Sequence, residues 1–264
     1  MTRDIDHASD SSLDLALVRD LEEASFRAWP ALKTKHLGGW LLRSANGHTK
    51  RANSVNVLKR DPGASLSERI TLAEGHYASL KHPTIFRLTP LSEPELDARL
   101  EARGYQQCDR TLTMLAKAPM KVTRDSAVAL ESCPSEAWFD GFCEISPVAP
   151  QNRAALRSML ALVKGNVCYA SIVEAGRVVA FGLSVVEGKR AGFFEILVAP
   201  ERRGAGLGRK IMRSLIAWAS QDMGAENIWL QVVADNTPAV ALYRSFGFQA
   251  LYAYHYRIRP DAAV

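Results

Sequence analysis

Residues 203–208 read Arg-Gly-Ala-Gly-Leu-Gly, between an apolar run at 193–198 and a helical pattern that starts at Arg209. Because glycine occupies every second position, several backbone N–H groups can point at one place. The N-terminus of the following helix adds partial positive charge there. The order of strand, glycine-rich turn and helix therefore predicts an anion site suited to a phosphate or pyrophosphate, with full charges from Arg202, Arg203 and Arg209.

A glycine-rich turn of this kind is compatible with more than one structure. A tight corner between a strand and a helix can have this composition and bind nothing. A Walker-type phosphate loop requires a Gly-Lys-Ser/Thr sequence, which does not follow here. A dinucleotide fold requires Gly-x-Gly-x-x-Gly and an acidic residue about 20 positions later, whereas these glycines are spaced Gly-x-Gly-x-Gly.

A second motif occupies residues 235–248, which read Asp-Asn-Thr-Pro-Ala-Val-Ala-Leu-Tyr-Arg-Ser-Phe-Gly-Phe. Residues 227–233 before it have the composition of a strand. Asn236 is a good N-cap and Gly247 a suitable C-cap, and apolar residues between them recur at helical spacing. This pattern predicts a second unit of strand followed by helix.

Together the two motifs resemble the GNAT superfamily of acyl-CoA N-acyltransferases. The family pattern is Arg/Gln-x-x-Gly-x-Gly/Ala after the fourth strand, and then Asn, Ala and Tyr before Gly-Phe. The matching positions here are Arg203, Gly206, Gly208, Asn236, Ala241, Tyr243, Gly247 and Phe248. The resemblance covers residues 121–258 and is specific for the fold and for acyl-CoA, but not for the acceptor.

The resemblance implies that acetyl-CoA is the acyl donor. Its pyrophosphate is expected on the turn formed by Arg203, Gly204, Ala205, Gly206, Leu207, Gly208 and Arg209. The strands that end at Val198 and Val233 are expected to splay apart, so that the pantetheine arm pairs with exposed backbone near Leu197 and Val198. Asn236 fits either a contact to CoA or the backbone, or a plain N-cap.

Transfer to an amine requires a base, because an aliphatic amine with a pKa near 10 is almost fully protonated at neutral pH. Glu195 is the candidate: it lies in an otherwise apolar strand, and partial burial would make it more basic. The alternative is a strand-edge glutamate that faces solvent or pairs with an arginine. His255 is a weaker candidate base.

Tyr243 resembles the tyrosine of the family that donates a hydrogen bond to the departing sulfur. The alternative is a helix tyrosine packed in the core. Tyr252, Tyr254 and Tyr256 share one face of the last strand, which is either an ordinary half-buried face or an aromatic wall beside the acceptor.

The first half of the chain echoes the second. Residues 85–105 align with residues 228–248 without a gap, at an offset of 247 − 104 = 143. The fold class is therefore expected to be α/β, with α+β-type mixed sheets: tandem GNAT-like domains over residues 1–118 and 121–264, each a twisted mixed sheet flanked by helices. A chance match of turn residues is the alternative. The second domain is expected to open with a strand at 122–130.

The first copy departs from the pattern where chemistry is expected. At the turn that corresponds to the glycines, Pro62 has no N–H to donate, Asp61 brings negative charge, and Ser65 replaces the last glycine. Glu93 and Leu100 stand at the positions of the asparagine and the tyrosine. We expect this copy not to bind CoA in the usual manner, but to pack against the second copy, to form one wall of the acceptor pocket, or both.

Composition narrows the class of partner. The chain has 264 residues and a net charge of +5, with no dense run of Lys or Arg, so a nucleic acid partner is not expected. The N-terminus has no apolar core typical of a signal peptide, and the apolar run near Val178–Val186 is broken by glycine and serine, so we expect a cytoplasmic chain without a membrane partner. The four cysteines form no metal-ligand spacing, so no metal is expected.

The function expected from these motifs is an N-acetyltransferase that moves an acetyl group from acetyl-CoA to a primary amine of a small molecule by direct attack on the thioester. The alternative is an acyl-CoA sensor or interaction module without turnover. The sequence assigns neither the acceptor nor the oligomeric state.

Overall fold

The structure is a computed structural model and describes residues 13–61, 63, 65–118, 121–146 and 148–259. The helices are α1 (Leu15–Ala28), α2 (Leu66–Ser79), α3 (Leu96–Ala102), α4 (Glu136–Ile145), α5 (Arg153–Leu162), α6 (Leu207–Ala217) and α7 (Thr237–Arg244). The strands are β1 (Lys33–Leu37), β2 (Trp40–Ser44), β3 (Val55–Val57), β4 (Ile85–Leu88), β5 (Gln106–Lys117), β6 (Ala129–Glu131), β7 (Asn166–Glu174), β8 (Arg177–Glu187), β9 (Arg190–Val198), β10 (Asn227–Val233) and β11 (Gln249–Ile258).

These strands form one mixed sheet with the order β1-β2-β3-β4-β11-β5-β10-β9-β8-β7-β6. The pairs β3–β4 and β9–β10 are parallel and the other neighbours are antiparallel. The expectation of an α/β fold built on a mixed sheet is confirmed.

Helices cover both faces of this sheet. Along β8, Phe181, Leu183 and Val185 belong to the core beneath α1 and α4, whereas Ala180 and Val186 belong to the core beneath α6. This alternation is the period of two that a strand buried on both faces requires. Gly182 lets α6 approach closely, since a Cβ there would lie 2.6 Å from the Ile211 side chain.

The elements recur at the offset found in the sequence. Shifted by 143 positions, β4 falls on residues 228–231 within β10, and β5 falls on 249–260, where β11 begins at the same residue. The helices α2 and α3 fall likewise on α6, with the π-helical turn that follows it, and on α7. A boundary between domains at 118–121 stays a prediction.

The expectation of a separate sheet in each half is wrong. The last strand of the first half, β5, pairs with β10 of the second half, and the last strand of the second half, β11, pairs with β4 of the first. Since β5 and β11 also pair with each other, the two form a ribbon that joins both halves. The physical reason is that β4 and β10 each have one edge of unsatisfied backbone groups, and this ribbon pairs with both edges at once.

The strand expected at 122–130 is reduced to β6 at the edge of the sheet. The residues before it are held by α6 and the turn after it instead of by a neighbouring strand. The backbone N–H of Asp125 donates to Ser214 Oγ over 3.0 Å, and the carbonyl of Val122 accepts from Gln221 Nε2 over 2.9 Å. The backbone is therefore occupied by side-chain hydrogen bonds that exclude strand pairing.

A charged cluster fastens β11 to α3. Arg257, whose side chain is 6% exposed, donates from Nε and Nη2 to the two carboxylate oxygens of Asp97 over 2.7 and 3.0 Å. His255 Nε2 lies 2.9 Å from the same carboxylate. The hydrogen bonds from Arg257 are the main cause that lowers the pKa of Asp97 to about 2.

We predict that Asp97→Asn destabilises the protein at pH 7 by about 1 kcal/mol, because a partly exposed carboxylate loses two charge-assisted hydrogen bonds. The folded pKa lies below the unfolded value of about 3.9, so this stabilisation is complete above about pH 4 and disappears as the pH falls toward 2. Urea unfolding of wild type and variant between pH 7 and pH 2.5 measures the difference. Glu201→Gln, at an exposed carboxylate, is the control, and a difference that does not shrink in acid contradicts the prediction.

Candidate active site

The strands β9 and β10 part as expected. Their parallel pairing extends only from Asn227 opposite Arg190 to Leu230 opposite Phe193. Beyond that point β9 is held only by β8 and β10 only by β5. One edge of β9 is therefore free of strand partners from Phe194 onward within the part of the chain described, and a cleft opens between the two strands.

A β-bulge lies at this divergence. Phe181 on β8 faces Leu197, but Leu183 faces Phe194, so that two residues of β9 lie opposite Gly182 alone. The first of these is Glu195, with φ of +50°. Positive φ is uncommon for a residue with a side chain, and such bulges redirect side chains near functional sites. Glu195 is among the residues that line the cleft.

The cleft has a volume of about 470 Å³ and takes its lining from both halves of the chain. The second half contributes β9, β10, Asn236, Tyr243 and two tyrosines of β11. The lining residues from the first half are Thr49, Lys50, Arg51, Asp109 and Thr111. This is the arrangement in which the first copy forms one wall of the pocket.

Glu195 forms an ion pair with Arg51, and the two side chains are 11% and 28% exposed. The guanidinium also lies 4.8 Å from the ring centre of Trp29. The sequence hypothesis relied on burial to make Glu195 basic, whereas the structure gives it the arginine partner of the alternative. Glu195 is thus a half-buried carboxylate in the cleft.

Tyr243 on α7 also lines the cleft and is 6% exposed. Its ring packs 6.1 Å from that of Phe248, so the ring lies in the core while it also borders the cleft. A hydrogen bond from Tyr243 to the sulfur stays a prediction. Burial chiefly, and then the negative charge of Glu195, raise the pKa of Tyr243 above its ordinary value. The hydroxyl therefore keeps its proton and is a hydrogen-bond donor at any working pH.

The two remaining strand tyrosines of the cleft have partners within it. Tyr254 donates to Gln231 Oε1 over 3.3 Å and its ring meets that of Tyr256 edge-on at 5.6 Å. Tyr252 instead donates to Glu22 over 2.5 Å in the core. The predicted face is therefore divided, and only two of its three tyrosines border the cleft.

The glycine-rich turn precedes α6 with its backbone exposed. Gly204 and Gly206 have φ of +80° and +79°, a region that favours glycine, and the first helical bond runs from Lys210 N to Gly206 O. Among the hydrogen bonds of the described residues none takes up the N–H groups of residues 206–209. Leu207 buries its side chain, so it offers the cleft side only its backbone. The turn fits an anion.

The charged residues at the turn differ in availability. Arg202 is held by Glu174 at 2.7 Å, so its charge is already compensated, unlike the sequence expectation. Arg203 is exposed, and Arg209 lies 5.4 Å from the ring centre of Phe246. Two of the three predicted cations are thus left to meet a phosphate.

The residues predicted for the acyl-donor arm lie at the free edge. Leu197 and Val198 are half-buried at the end of β9, where the edge toward β10 is unpaired. Asn236 is exposed, accepts from the N–H of Ala239 over 3.2 Å as the N-cap of α7, and lines the cleft. Ala205 is exposed in the turn.

The structure does not bring His255 to the cleft. It lines a separate cavity of about 500 Å³ with Asp97 and Arg60. Its ring is engaged with the Asp97 carboxylate, which fastens β11 to α3. His255 therefore does not line the cleft that Tyr243 lines, and the structure does not support it as a base for the reaction there.

In the first half, the corresponding positions are filled by side chains. Glu93 accepts from Trp40 Nε1 over 3.2 Å and pairs with Arg69 at 2.6 Å, and all three are buried or nearly so. Ser65, which replaces the last glycine, caps α2 by accepting from Glu68 N. Pro62 lies outside the described residues. These contacts support the prediction that this half does not bind CoA, which stays a prediction.

Arg51 and Lys50 are the two cations of the cleft that sequence reasoning missed, and the lining residues Thr49, Asp109, Thr111 and Gln231 were missed as well. Arg51 and Glu195 are 144 positions apart, and no local pattern marks either cation. The described residues contain no group of three or more His, Cys, Asp or Glu placed to hold a metal ion. None of the described helices combines the length and the apolar character needed to span a bilayer.

The comparisons with known proteins agree with this geometry. The family model described as the probable histone acetyltransferase Rv0428c C-terminal matches residues 16–258. An uncharacterized N-acetyltransferase of Bacillus subtilis, YobR, is 32% identical over 248 residues, which are 92% of this chain and 98% of that protein. The probable histone acetyltransferase Rv0428c of Mycobacterium tuberculosis is 26% identical over 259 residues, 97% of this chain and 78% of that protein.

Among solved structures, a GCN5-related N-acetyltransferase from Kribbella flavida has a similar fold, with a TM-score of 0.66 and 13% identity over 92% of this chain and 95% of that one. The family model matches residues 16–258, which include the sheet, the bulge and the glycine-rich turn, and it therefore identifies the family of the chain. The chain belongs to the family of the Rv0428c C-terminal region and is an N-acetyltransferase of the GNAT superfamily.

Proposed function

We propose that this protein transfers the acetyl group of acetyl-CoA to a primary amine of a small molecule. The observation that carries the proposal is the cleft between β9 and β10, where Glu195 and Tyr243 lie together. Acetyl-CoA supplies a thioester, whose acyl carbon is activated toward an attacking amine. The remaining tasks are to hold the donor, to free the amine of its proton and to stabilise the departing sulfur.

The residues that would hold the donor fit its chemistry. The exposed turn at 203–209 offers backbone N–H groups and the start of α6, which suit a diphosphate. The free edge of β9 at Leu197 and Val198 offers backbone groups that suit the amides of the pantetheine arm, as an added strand would use them. Asn236 completes this wall of the cleft, where its capping bond leaves the amide nitrogen free to donate.

Glu195 is the group that would accept the proton of the amine, directly or through a water molecule. Only about one aliphatic amine in a thousand is unprotonated at neutral pH, so the acceptor must lose a proton before or during its attack on the thioester. A carboxylate beside the nitrogen can accept that proton. Arg51 pairs with that carboxylate in the structure. The ammonium of the acceptor is a second cation that the same carboxylate can bind.

Tyr243 would donate its hydrogen bond to the departing sulfur. A thiol has a pKa near 8.5 and the raised pKa of Tyr243 is well above it. Complete transfer of the phenolic proton to the sulfur is therefore uphill. The hydroxyl stabilises the developing negative charge while its own proton stays on oxygen.

The first half of the chain supports a small acceptor. Its residues share the lining of a cleft of about 470 Å³ with the donor-side residues. The volume is of the size that proteins use for small ligands. Rv0428c is named as a probable histone acetyltransferase, so a protein amine is the outcome that would contradict this part of the proposal.

The test is release of free thiol from acetyl-CoA in the presence of small amines and, in parallel, of a histone-type peptide with a free N-terminus and lysines. Turnover with small amines and little with the peptide is the expected result. Turnover with the peptide alone would move the acceptor to proteins. If neither the small amines nor the peptide caused thiol release, the proposal would be wrong.

We predict that Tyr243→Phe lowers kcat by about 100-fold, the usual contribution of one positioned donor. The Kd for acetyl-CoA should stay within about twofold, because the hydroxyl contributes to the departing sulfur and not to the bound donor. Steady-state kinetics and calorimetry measure the two quantities. Tyr105→Phe removes a buried hydroxyl that bonds Glu74 at 3.0 Å and serves as the control. Parallel loss of binding and turnover would assign the Tyr243 hydroxyl a structural role.

We predict that Gly206→Asp weakens acetyl-CoA binding by about 100-fold, whereas Gly206→Asn weakens it by less than tenfold. Asn and Asp tolerate the left-handed backbone about equally, so the pair isolates the effect of one negative charge beside a diphosphate. Calorimetric titration with acetyl-CoA gives the ratio, and S-acetylpantetheine, which has no diphosphate, should show no difference between the variants. Equal affinities of the two variants for acetyl-CoA would place the diphosphate elsewhere.

A further inference from the structure

Two cations of the first half reach into the cleft from one short 3₁₀ turn, Lys50–Ala52. Lys50 Nζ lies 2.5 Å from Asp109 Oδ2, and Arg51 pairs with Glu195. All four residues line the cleft. The acceptor end of the site is therefore built from two positive and two negative groups, matched one to one.

Arg51 is fixed in both position and charge. Its guanidinium stacks near Trp29, and its side chain is 28% exposed. Burial lowers the pKa of Arg51, but the negative charge of Glu195 together with Tyr254 and Tyr256 outweighs it, and the net shift is upward. Arg51 is therefore a permanent cation held against the wall of the cleft.

An acceptor amine disturbs this balance unless it carries its own negative charge. As an ammonium it binds at the Glu195 carboxylate and competes with Arg51 for it. A half-buried guanidinium left without a counter-charge is costly, because its hydration is only partly available. An amine that carries an anionic group supplies Arg51 with a new partner in the same step.

Gln231 is a further polar side chain at the cleft, and its hydrogen bonding within the described residues is incomplete. Its side chain lines the cleft, and its Oε1 is already used as acceptor by Tyr254. Its Nε2 is buried and has no acceptor among the described residues. A buried amide N–H normally has a partner, and an anionic oxygen of a ligand would supply one.

We propose that the acceptor is an amine with an anionic group close to the nitrogen, as in an α-amino acid, with the anion bound by Arg51 and the ammonium by Glu195. This rests on the proposed acetyl transfer and narrows its acceptor. Because Arg51 and Glu195 are in contact, the two charges of the ligand must be separated by only one or a few carbons. Lys50 and Asp109 stand beside them to receive further charges of the acceptor.

The test compares each acceptor with a partner that lacks the anion. Amino acids are measured against their primary amides, and phosphoethanolamine against ethanolamine, which separates a carboxylate from a phosphate. The expected result is a kcat/KM for at least one anionic member that exceeds its neutral partner by tenfold or more. The comparison is stringent, since an amino acid amide has the less basic amine and is intrinsically the readier nucleophile at neutral pH.

The variant Arg51→Gln should reduce that ratio to about threefold or less, mainly through KM, and Arg51→Lys should restore part of it. Lys59→Gln, at an exposed position outside the cleft lining, should leave the ratio unchanged. If the Gln variant does not fold, the wild-type ratio of kcat/KM between anionic and neutral acceptors decides whether the inference holds. Neutral partners acetylated as well as the anionic ones, or a ratio that survives Arg51→Gln, would overturn this inference and leave the acetyl transfer itself intact. Absence of thiol release with every amine would instead remove both.

Discussion

The site depends on the point at which β9 stops hydrogen bonding to β10. Up to Phe193 the strand bonds to both neighbours, and beyond that residue it bonds to β8 alone. The bulge at Glu195 is possible because Gly182 opposite has no side chain, and α6 fills the space that a Cβ would need. One local break in a continuous sheet therefore yields an open backbone edge, a redirected carboxylate and a cleft of molecular size.

The first half of the chain completes this site without copying it. Its own turn and cleft positions are occupied by a cap, a tryptophan and a buried ion pair, and its residues line the cleft of the other half instead. The ribbon of β5 and β11 makes this possible, because it places Asp109 and Thr111 next to Tyr254 and Tyr256. Residues of both halves thus line one cleft in a continuous sheet.

The sequence predicted well what is determined locally. The glycine turn, the N-cap at Asn236 and the helix that follows it depend on residues that are close together along the chain, and the strand 227–233 was predicted at its observed bounds. The strand predicted at 122–130 is mostly absent, because backbone groups of this segment are hydrogen bonded to the side chains of Ser214 on α6 and of Gln221. Its apolar pattern cannot reveal that competition.

What depends on distant partners could not be predicted in the same way. No residue near Glu195 in the sequence indicates that its partner is Arg51, which lies in the other half of the chain. The continuity of the sheet could not be predicted for the same reason. The repeat predicts which strands form, but not which strand edges pair with one another. The recurrence at an offset of 143 nevertheless gave the right elements in the right order, because each depends on its own capping and periodicity.

The exchange of β5 and β11 also governs how the polypeptide acquires its structure during synthesis. One edge of β4 remains uncovered until residues 249–258 have been synthesised, because its partner on that side is β11. An open strand edge invites pairing with foreign chains, and contacts between the ends of a long polypeptide form slowly. The topology therefore leaves this edge open to non-native pairing between the synthesis of β4 and that of β11.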